Sequence, residues 1–466
     1  MHLPGWLSNA LPIVLLLAAV GAVVARLPKV DVGHSEAFKR RRVANWLPLG
    51  LTYAFLYFGR YNLSAIVDQL EHAHLLTKAQ FGDIDGVGAL TYGVAFLVNG
   101  PLTDRFGGRA TLLAAAGGSA VVNLVLAYAV AHAAQDPDAF HRTLLLANAA
   151  NMYFQSFGAV SIVKVNAPWF HVRERGMLGG LFGILISLGL YFAYDWAKNL
   201  AVAFGLAAAF WVPALVLAAC FVAAFVLIRD TPSDAGFADF DTGDATSGET
   251  GPTPLGEVVK RMLSQRAVLL IVAIEFCSGF LRQGVMKWYR LFAKAVGEDH
   301  GFVYANWGML LCVAGILGGV FAGSISDHVF QSRRGPVAAV LYGGLLLGAG
   351  VALATLGMPL LGWSMVFMSL CVIGVHGMLS GTASMDFGGT RNAGLVTGVI
   401  DGFVYLGSAA QAFLYGHLLP GTHDPAAHDP TAWRVWPGTM IGVAVVGLAL
   451  CSRVWNARPR SASAAH

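Results

Sequence analysis

The sequence has little charge and few cysteines. Of its 466 residues, 12% are Asp, Glu, Lys or Arg, 56% are hydrophobic, and the mean hydropathy is +0.63. Soluble domains carry roughly 25% charged residues, so this composition excludes a disordered chain and argues against a soluble enzyme. The 56 glycines follow no three-residue repeat, which excludes collagen. The chain is long enough for a dozen membrane spans of roughly 20 residues each.

The cysteines and histidines indicate neither a metal site nor catalytic chemistry. The five cysteines are scattered through apolar stretches without a CxxC motif, which is typical of buried small hydrophobic residues. Most histidines fall in loops, and no nucleophile–base or metal spacing emerges. No basic stretch is laced with aromatic residues. We therefore expect no enzyme activity, no cofactor and no nucleic-acid partner.

Apolar runs divide the chain into a short leader at about 11–26 and two sets of six spans. The spans are expected near 44–69, 82–103, 109–131, 143–168, 177–198 and 202–228, then 266–293, 302–325, 335–357, 360–383, 392–419 and 434–453. The polar stretch 229–265 is typical of a solvated linker. The predicted organisation begins with an extra N-terminal helix and a basic linker (1–43), followed by an N-terminal bundle (44–228). A cytoplasmic linker (229–265) then leads to a C-terminal bundle with a tail (266–466).

Lys and Arg in the short loops predict the orientation. Basic residues concentrate on the side of the 104–109 loop, whereas the opposite side has only Lys78, Arg142, Lys198 and Lys294. Such asymmetry places the basic side and the C-terminus in the cytoplasm, as in a multi-pass protein of a bacterial inner membrane. The leader lacks a positive segment before it and has basic residues after it. These flanks favour a retained span over a cleaved signal peptide.

Charged residues occur at corresponding positions in the two sets of spans. Arg60 lies in FLYFGRYNLS and Arg282 in SGFLRQGVMKW, and each is followed by a Gly-x-x-x-Asp sequence. Arg60 precedes Asp104 by 44 positions, and Arg282 precedes Asp327 by 45. A duplicated transporter predicts this register, with the two arginines on opposite sides of one central cavity. Six spans, a linker and six spans form the plan of the major facilitator transporters.

The loop NGPLTDRFGGR indicates a conformational latch made by Gly100, Asp104, Arg105 and Arg109, with Asp327 as its second-half counterpart. Glycine permits close helix approach. The aspartate is expected to cap the next helix or to pair with a loop arginine on the other side. The alternative is an ordinary turn with positive charge on the inside.

Ionisable residues within spans indicate an anionic substrate, because charge in the membrane is costly and marks function. The basic residues within the spans are Arg60, Lys164, Arg282 and Lys287, and the acidic residues are Glu275 and Asp401. An arginine cannot lose its proton, and its planar fork suits phosphate. Tyrosine hydroxyls near the arginines can add hydrogen bonds, and the candidates are Tyr53, Tyr57, Tyr92 and Tyr405. The alternative is a set of structural interhelical pairs.

Several segments give the chain a family resemblance, namely YFGRYN, the 151–176 run NMYFQSFGAVSIVKVNAPWFHVRERG, RDTPSDAGF, GFLRQGVMKW, SDHVFQSRRG and GFVYLG. Over about residues 45–455 the chain resembles the organophosphate:phosphate antiporter family of the major facilitator superfamily. The resemblance implies a monomeric carrier that exchanges a phosphorylated organic anion for inorganic phosphate by alternating access. It also implies that Arg60 and Arg282 bind the phosphate and that the four tyrosines line the cavity.

Four positions depart from the glycerol-3-phosphate branch of that family: Tyr61, Phe96, Ile186 and Lys287. The resemblance therefore predicts a retained anion site with altered surroundings, and glycerol 3-phosphate is not the first expected substrate. Two alternatives stay open. One is proton-coupled transport of another organic anion through Glu275 or Asp401, and the other is a membrane sensor of sugar phosphates.

Overall fold

The computed structural model describes residues 33–133, 135–171, 174–242, 266–330, 334–421 and 424–455, together with Val14, Ala18, Gly21, Lys260 and Ser264. These residues form helices and no strand, which confirms the predicted all-helical class. Apart from three residues, the predicted leader lies outside the described part of the chain, as do most of the linker and the last residues of the tail.

The N-terminal half contains the helices α1 (Glu36–His72), α2 (Lys78–Phe106), α3 (Gly108–Ala131), α4 (Pro137–Asn166), α5 (Arg175–Tyr191), α6 (Ala197–Phe204) and α7 (Ala208–Leu227). Side-chain capping fixes where α1 and α2 begin. The Ser35 hydroxyl accepts from the Phe38 amide, and Thr77 forms a capping box with Gln80. A π-helical turn, Phe192–Trp196, joins α5 to α6 and widens the backbone there.

The C-terminal half contains α8 (Arg266–Ala295), α9 (Phe302–Ala305), α10 (Trp307–His328), α11 (Arg334–Ala354), α12 (Leu360–Leu418) and α13 (Val435–Arg453). The helix α12 is continuous by hydrogen bonding but folds back on itself. Its first arm is antiparallel to α8, since Gly362 lies beside Tyr289 and His376 beside Glu275. Its second arm runs parallel to α8, as shown by the contacts of Val404 with Gly279 and of Tyr415 with Trp288. The two arms are the tenth and eleventh predicted spans.

The two halves meet along two equivalent helix pairs. The helix α2 packs along the second arm of α12, and α5 packs against α10. A Cβ atom at Gly82 would lie 2.6 Å from the Cα of Gly416, so glycine is what permits this backbone approach. In span order the pairs are second with eleventh and fifth with eighth, and exchanging the halves converts one pair into the other. The packing therefore agrees with the predicted duplication.

Burial separates central helices from peripheral ones. Most side chains of α1 between residues 52 and 67 are buried, and α8 is similarly enclosed. In contrast, α7 exposes large apolar side chains, including Leu215, Val222 and Phe225. An apolar exposed face is typical of a helix that contacts lipid. Among the described residues, seven helices are long and apolar enough to cross a membrane.

Candidate functional site

The two predicted arginines converge on one tyrosine. Arg60 is buried on α1, and its Nη1 donates to the Tyr405 hydroxyl at 2.9 Å. The guanidinium carbon of Arg282, on α8, lies 5.8 Å from the centre of the same ring. Tyr405 belongs to the second arm of α12, in the C-terminal half. The site therefore contains one arginine from each half, and both arginines lie against this tyrosine.

Aromatic rings surround the Arg60 guanidinium. Its central carbon lies 4.6 Å from the Tyr57 ring centre and 4.8 Å from the Tyr92 ring centre, distances at which a cation is attracted to a ring face. The Tyr92 and Tyr405 rings stack at 3.9 Å. Tyr53 meets Tyr57 edge-to-face at 5.4 Å. All four predicted tyrosines therefore lie in one cluster with Arg60.

The helix α4 holds Arg60 in place. Gln155 Oε1 accepts from Arg60 Nε at 3.1 Å. The amide of Asn151 donates to the Gly59 carbonyl at 2.8 Å, so the backbone beside the arginine is also fixed. Both α4 residues are fully buried. These contacts orient the Arg60 guanidinium.

Each arginine retains donor capacity that the described protein atoms do not use. Arg60 Nη2 and Arg282 Nε are buried and have no hydrogen-bond partner among the described residues. Buried guanidinium donors without partners are costly. Asp401 acts electrostatically on Arg282, so the arginine is not isolated from negative charge. The arrangement offers directed N–H groups to an additional oxygen-rich anion.

The predicted surplus of buried cations needs correction, because both lysines are paired. Lys164 Nζ lies 2.8 Å from Asp104 Oδ1, and Lys287 forms an ion pair with Asp85. Asp85 is not among the site residues predicted from the sequence, and Asp104 is predicted there only as a member of the loop latch. The positive charge available to a substrate therefore rests mainly on Arg60 and Arg282. Substrate binding by either lysine stays a prediction.

The departures from the glycerol-3-phosphate pattern lie close to the arginines. The Tyr61 hydroxyl accepts from Gln283 Nε2 at 3.1 Å, and Lys287 Nζ lies 5.5 Å from the Tyr61 ring centre. Phe96 packs edge-to-face with Tyr92 at 4.8 Å. Ile186 is half-buried against the core. Of the four positions, two are aromatic, one is aliphatic and one is a lysine.

The predicted proton-coupling residues lie in different surroundings. Glu275 is completely buried on α8, and its Oε2 lies 3.2 Å from His376 Nδ1. Asp401 lies on α12 and is half-buried. The sequence argument did not identify His376 as a partner, because 101 residues separate it from Glu275.

The predicted latch has different partners from those expected. Asp104 pairs with Lys164 within the N-terminal half and does not cap α3. Instead, Asp230 accepts from the Arg109 amide at 2.8 Å, and burial raises the pKa of its carboxyl above the ordinary value. Arg109 Nη2 donates to the Phe225 carbonyl at 2.6 Å. The expected cap by Asp104 is therefore wrong, whereas its pairing with a loop arginine of the other half stays a prediction, because the side chains of Arg333 and Arg334 lie outside the described residues.

The remaining latch residues add less. Gly100 is buried on α2, and the exposed Arg105 has its guanidinium carbon 5.5 Å from the Phe106 ring centre. Asp327 ends α10, but its side chain lies outside the described residues. A structural counterpart of the Asp104 pair therefore stays a prediction for the second half.

Carboxylates of the N-terminal half bind donors of the C-terminal half at the end of the bundle where α1 ends and α2 begins. Asp68 Oδ2 accepts from Arg290 Nη2 at 2.9 Å and from the Tyr304 hydroxyl at 2.6 Å. The pair of Asp85 and Lys287 lies at the same end. These contacts belong to what we term the carboxylate junction, formed by Asp68, Asp85 and Asp195 with their partners.

Asp195 completes the carboxylate junction by capping a helix of the other half. Its Oδ1 accepts from the Gly308 amide at 2.9 Å, and its Oδ2 accepts from the Met309 amide at 2.8 Å. Both amides belong to the first turn of α10, whose positive dipole end favours a carboxylate. Asp195 lies in the π-helical turn after α5. Sequence reasoning missed the junction because charged residues near span ends are common.

The fold agrees with comparisons to known proteins. A family model described as Major Facilitator Superfamily matches residues 49–412. The chain belongs to the Major Facilitator Superfamily. The superfamily consists of multi-pass membrane transporters, and the two packed halves fit this membership.

Relatives within the superfamily confirm the resemblance to organophosphate antiporters. The glycerol-3-phosphate transporter of Bacillus subtilis is 25% identical over 412 residues, covering 82% of this chain and 87% of the relative. The membrane sensor protein UhpC of Escherichia coli is 24% identical, covering 85% and 89%. The probable hexose phosphate transport protein of Chlamydia trachomatis is 24% identical, covering 91% and 93%.

A solved structure supports the fold. The crystal structure of a bacterial homologue of the human lysosomal transporter Spinster, in an inward-facing and unoccupied conformation, superposes with a TM-score of 0.65. It covers 92% of this chain and 100% of that chain at 13% identity. At that identity the likeness concerns the fold alone.

Proposed function

We propose that this chain exchanges a phosphorylated organic anion, of the sugar or glycerol phosphate type, for inorganic phosphate. The observation that carries the proposal is the pair of buried arginines, one from each half, with donors that no described residue satisfies. Because neither guanidinium can deprotonate, the site requires an anion. A phosphate group matches two planar forks better than a single carboxylate does. Relatives named as transporters of glycerol phosphate and hexose phosphate support this choice.

The site spans the two halves, so the ligand acts on their relative position. A phosphate held by Arg60 and Arg282 would draw α1 and α8 together, whereas the empty site leaves two cations facing each other. A ligand changes a conformational equilibrium only through different affinities for its states. Alternating access follows if the loaded carrier closes more readily than the empty one.

The carboxylate junction is evidence that the carrier is closed at one end in this conformation. Its ion pairs and helix cap join the halves at the end predicted to face outward. At the opposite end, Asp104 pairs with Lys164 and Arg42 pairs with Glu174 within the N-terminal half. We infer a carrier closed to the outside, in a bacterial inner membrane, with its C-terminus in the cytoplasm. One chain supplies both arginines, so a monomer suffices for function.

Counterflow in proteoliposomes tests the proposal. Vesicles loaded with inorganic phosphate are expected to take up labelled phosphate and then a subset of phosphate esters from a panel. Arg60→Lys and Arg282→Lys should each reduce counterflow by about ten- to a hundredfold, since a charged hydrogen bond contributes roughly 1.5–3 kcal/mol. Arg434→Lys is the matched control, because Arg434 is exposed in the C-terminal half. Normal counterflow in either site variant would reject the assignment.

A second candidate is a membrane sensor of sugar phosphates, favoured by the relative named as a sensor protein. The same arginine site would then bind phosphate esters without carrying them across. Calorimetric binding to purified protein, together with the absence of counterflow in the same preparation, would support the sensor. Counterflow at a rate well above that of empty vesicles would exclude it as the sole function.

A further inference from the structure

Glu275 is a carboxylate sealed inside the C-terminal half. Its side chain is 0% exposed, and it lies on α8 seven residues before Arg282. Its Oε2 faces His376 Nδ1 at 3.2 Å, whereas Oε1 has no hydrogen-bond partner among the described residues. A buried ionised carboxylate with half of its oxygens unpaired is costly. A proton on this oxygen would remove that cost.

Among the described residues, no lysine or arginine forms an ion pair with Glu275. His376 approaches from the first arm of α12, Tyr342 from α11 and Cys451 from α13. The Tyr342 hydroxyl donates to the Ile274 carbonyl at 2.7 Å and so does not neutralise the carboxylate. On α8 itself, Cys277 and Arg282 are the nearby titratable or charged groups. The charged groups of α1 face other parts of α8, with Arg60 and Asp68 toward the site and the carboxylate junction.

His376 is the more exposed member of the pair. Its side chain is 27% exposed, whereas the side chain of Glu275 is fully buried. An imidazole can accept a proton at one ring nitrogen and release one at the other. A proton from solution would form the imidazolium, and the Nδ1 proton would then pass to Glu275 Oε2. The products are a neutral imidazole and a carboxylic acid, and the reverse steps return the proton.

The site lies close enough to the arginines to affect them. Seven residues correspond to two helical turns, so Glu275 and Arg282 share one face of α8 at a separation of roughly 10 Å along its axis. Charges at this distance interact strongly when little water separates them. The second arm of α12 packs against the same stretch of α8, since a Cβ at Gly407 would lie 2.0 Å from the Phe276 carbonyl oxygen. That arm also carries Tyr405.

We propose that Glu275 and His376 form a proton-binding site that is loaded and unloaded during the transport cycle. This inference rests on the proposed phosphate exchange for its role, but not for its existence. Protonation of Glu275 removes a negative charge from the face of α8 that carries Arg282. The substrate anion and the proton therefore influence each other's binding, and exchange depends on pH.

Phosphate counterflow without a pH gradient tests the coupling. We expect the wild-type rate to change by about tenfold between about pH 5.5 and pH 8.5, a range that brackets the ordinary pKa of a histidine side chain. Glu275→Gln should give a flat profile while keeping phosphate binding within about threefold, because the amide resembles the protonated acid. His376→Gln should also flatten the profile. A wild-type profile in Glu275→Gln would overturn the proposal.

The exposed pair of His417 and Asp83 is the matched control. It has a 2.8 Å contact between the same chemical groups, with side chains 56% and 39% exposed. His417→Gln should leave the pH profile unchanged. If it flattens the profile as much as His376→Gln does, the buried pair has no special role and the proposal fails.

An infrared titration tests the proton site independently of the proposed phosphate exchange. We expect purified wild-type protein to show a carboxylic acid band that changes with pH and is missing in Glu275→Gln. Identical spectra of the two proteins at every pH would overturn the proton site, whatever the transport result. A band without phosphate counterflow would retain the proton site and reject phosphate exchange instead.

Discussion

Arg60 of the N-terminal half donates a 2.9 Å hydrogen bond to the hydroxyl of Tyr405 in the C-terminal half. The bond crosses the boundary between the two bundles at the level of the predicted substrate site. As an acceptor for Arg60, the Tyr405 hydroxyl keeps its own proton free for another acceptor. The residue thus has two tasks, orienting one arginine and offering a donor beside it.

Removing that hydroxyl should weaken phosphate binding. In Tyr405→Phe the stacked ring remains but both hydrogen bonds are lost, so the phosphate concentration for half-maximal counterflow should rise by about tenfold. Tyr153→Phe, at an exposed position on α4, should behave like wild type. An unchanged or tighter affinity in Tyr405→Phe would mean that the hydroxyl competes with phosphate rather than binding it.

The pair of Lys287 and Asp85 should be needed for charge balance rather than for phosphate binding. Lys287→Ala leaves Asp85 buried without its partner, which should reduce the free energy of unfolding in detergent by about 3–5 kcal/mol and abolish counterflow. The neutral double variant Lys287→Gln with Asp85→Asn should recover both properties in large part. A stable double variant that fails to bind phosphate would instead make Lys287 a substrate ligand.

Loss of the Asp195 cap should open the end of the bundle that holds the carboxylate junction. A helix cap contributes roughly 0.5–2 kcal/mol, so Asp195→Ala should shift the conformational equilibrium by about 2–30-fold. The reporter is a single cysteine at the buried position Ala65, in a background without the native cysteines. Its labelling by an impermeant thiol reagent should increase by that factor.

The control for this experiment is Asp136→Ala. Asp136 caps α4 through the Ala139 amide at 2.9 Å, entirely within the N-terminal half. Losing this cap should leave Ala65→Cys labelling unchanged. Equal labelling in both variants would show that Asp195 stabilises its surroundings without holding the halves together.

The pair of Asp104 and Lys164 should affect turnover more than stability. Their side chains are 26% and 33% exposed, and such pairs contribute at most about 1 kcal/mol to folding. Asp104→Asn should therefore retain the wild-type melting temperature while lowering the maximal exchange rate by about tenfold, as expected of a latch. Glu36→Gln removes a comparable pair within α1 and should have no effect. A wild-type rate in Asp104→Asn would leave the motif as an ordinary turn.

The sequence was informative wherever one helix or one repeat carried the signal. Apolar runs placed the spans because a membrane helix must satisfy its backbone hydrogen bonds internally and cover its length with apolar side chains. Arg60 and Arg282 stood out because each interrupts a long apolar run. The four tyrosines were found by spacing and resemblance, and the structure places all of them beside Arg60.

The ion-pair partners of the buried charged residues could not be predicted from the sequence, because they lie on helices far apart along the chain. Lys287 is paired with Asp85 at a separation of 202 residues, and Glu275 with His376 at a separation of 101. The cost of a buried charge depends on what lies within a few ångströms of it, and that distance exists only after the helices pack.

The sequence by itself determined the all-helical membrane class of the protein and predicted the two arginines of the candidate site, since composition and periodicity record how each segment meets lipid. The tertiary structure decided which charges are neutralised, which end of the bundle is joined, and that Tyr405 links the arginines. Those properties depend on short-range contacts between the two halves, and no single helix encodes them.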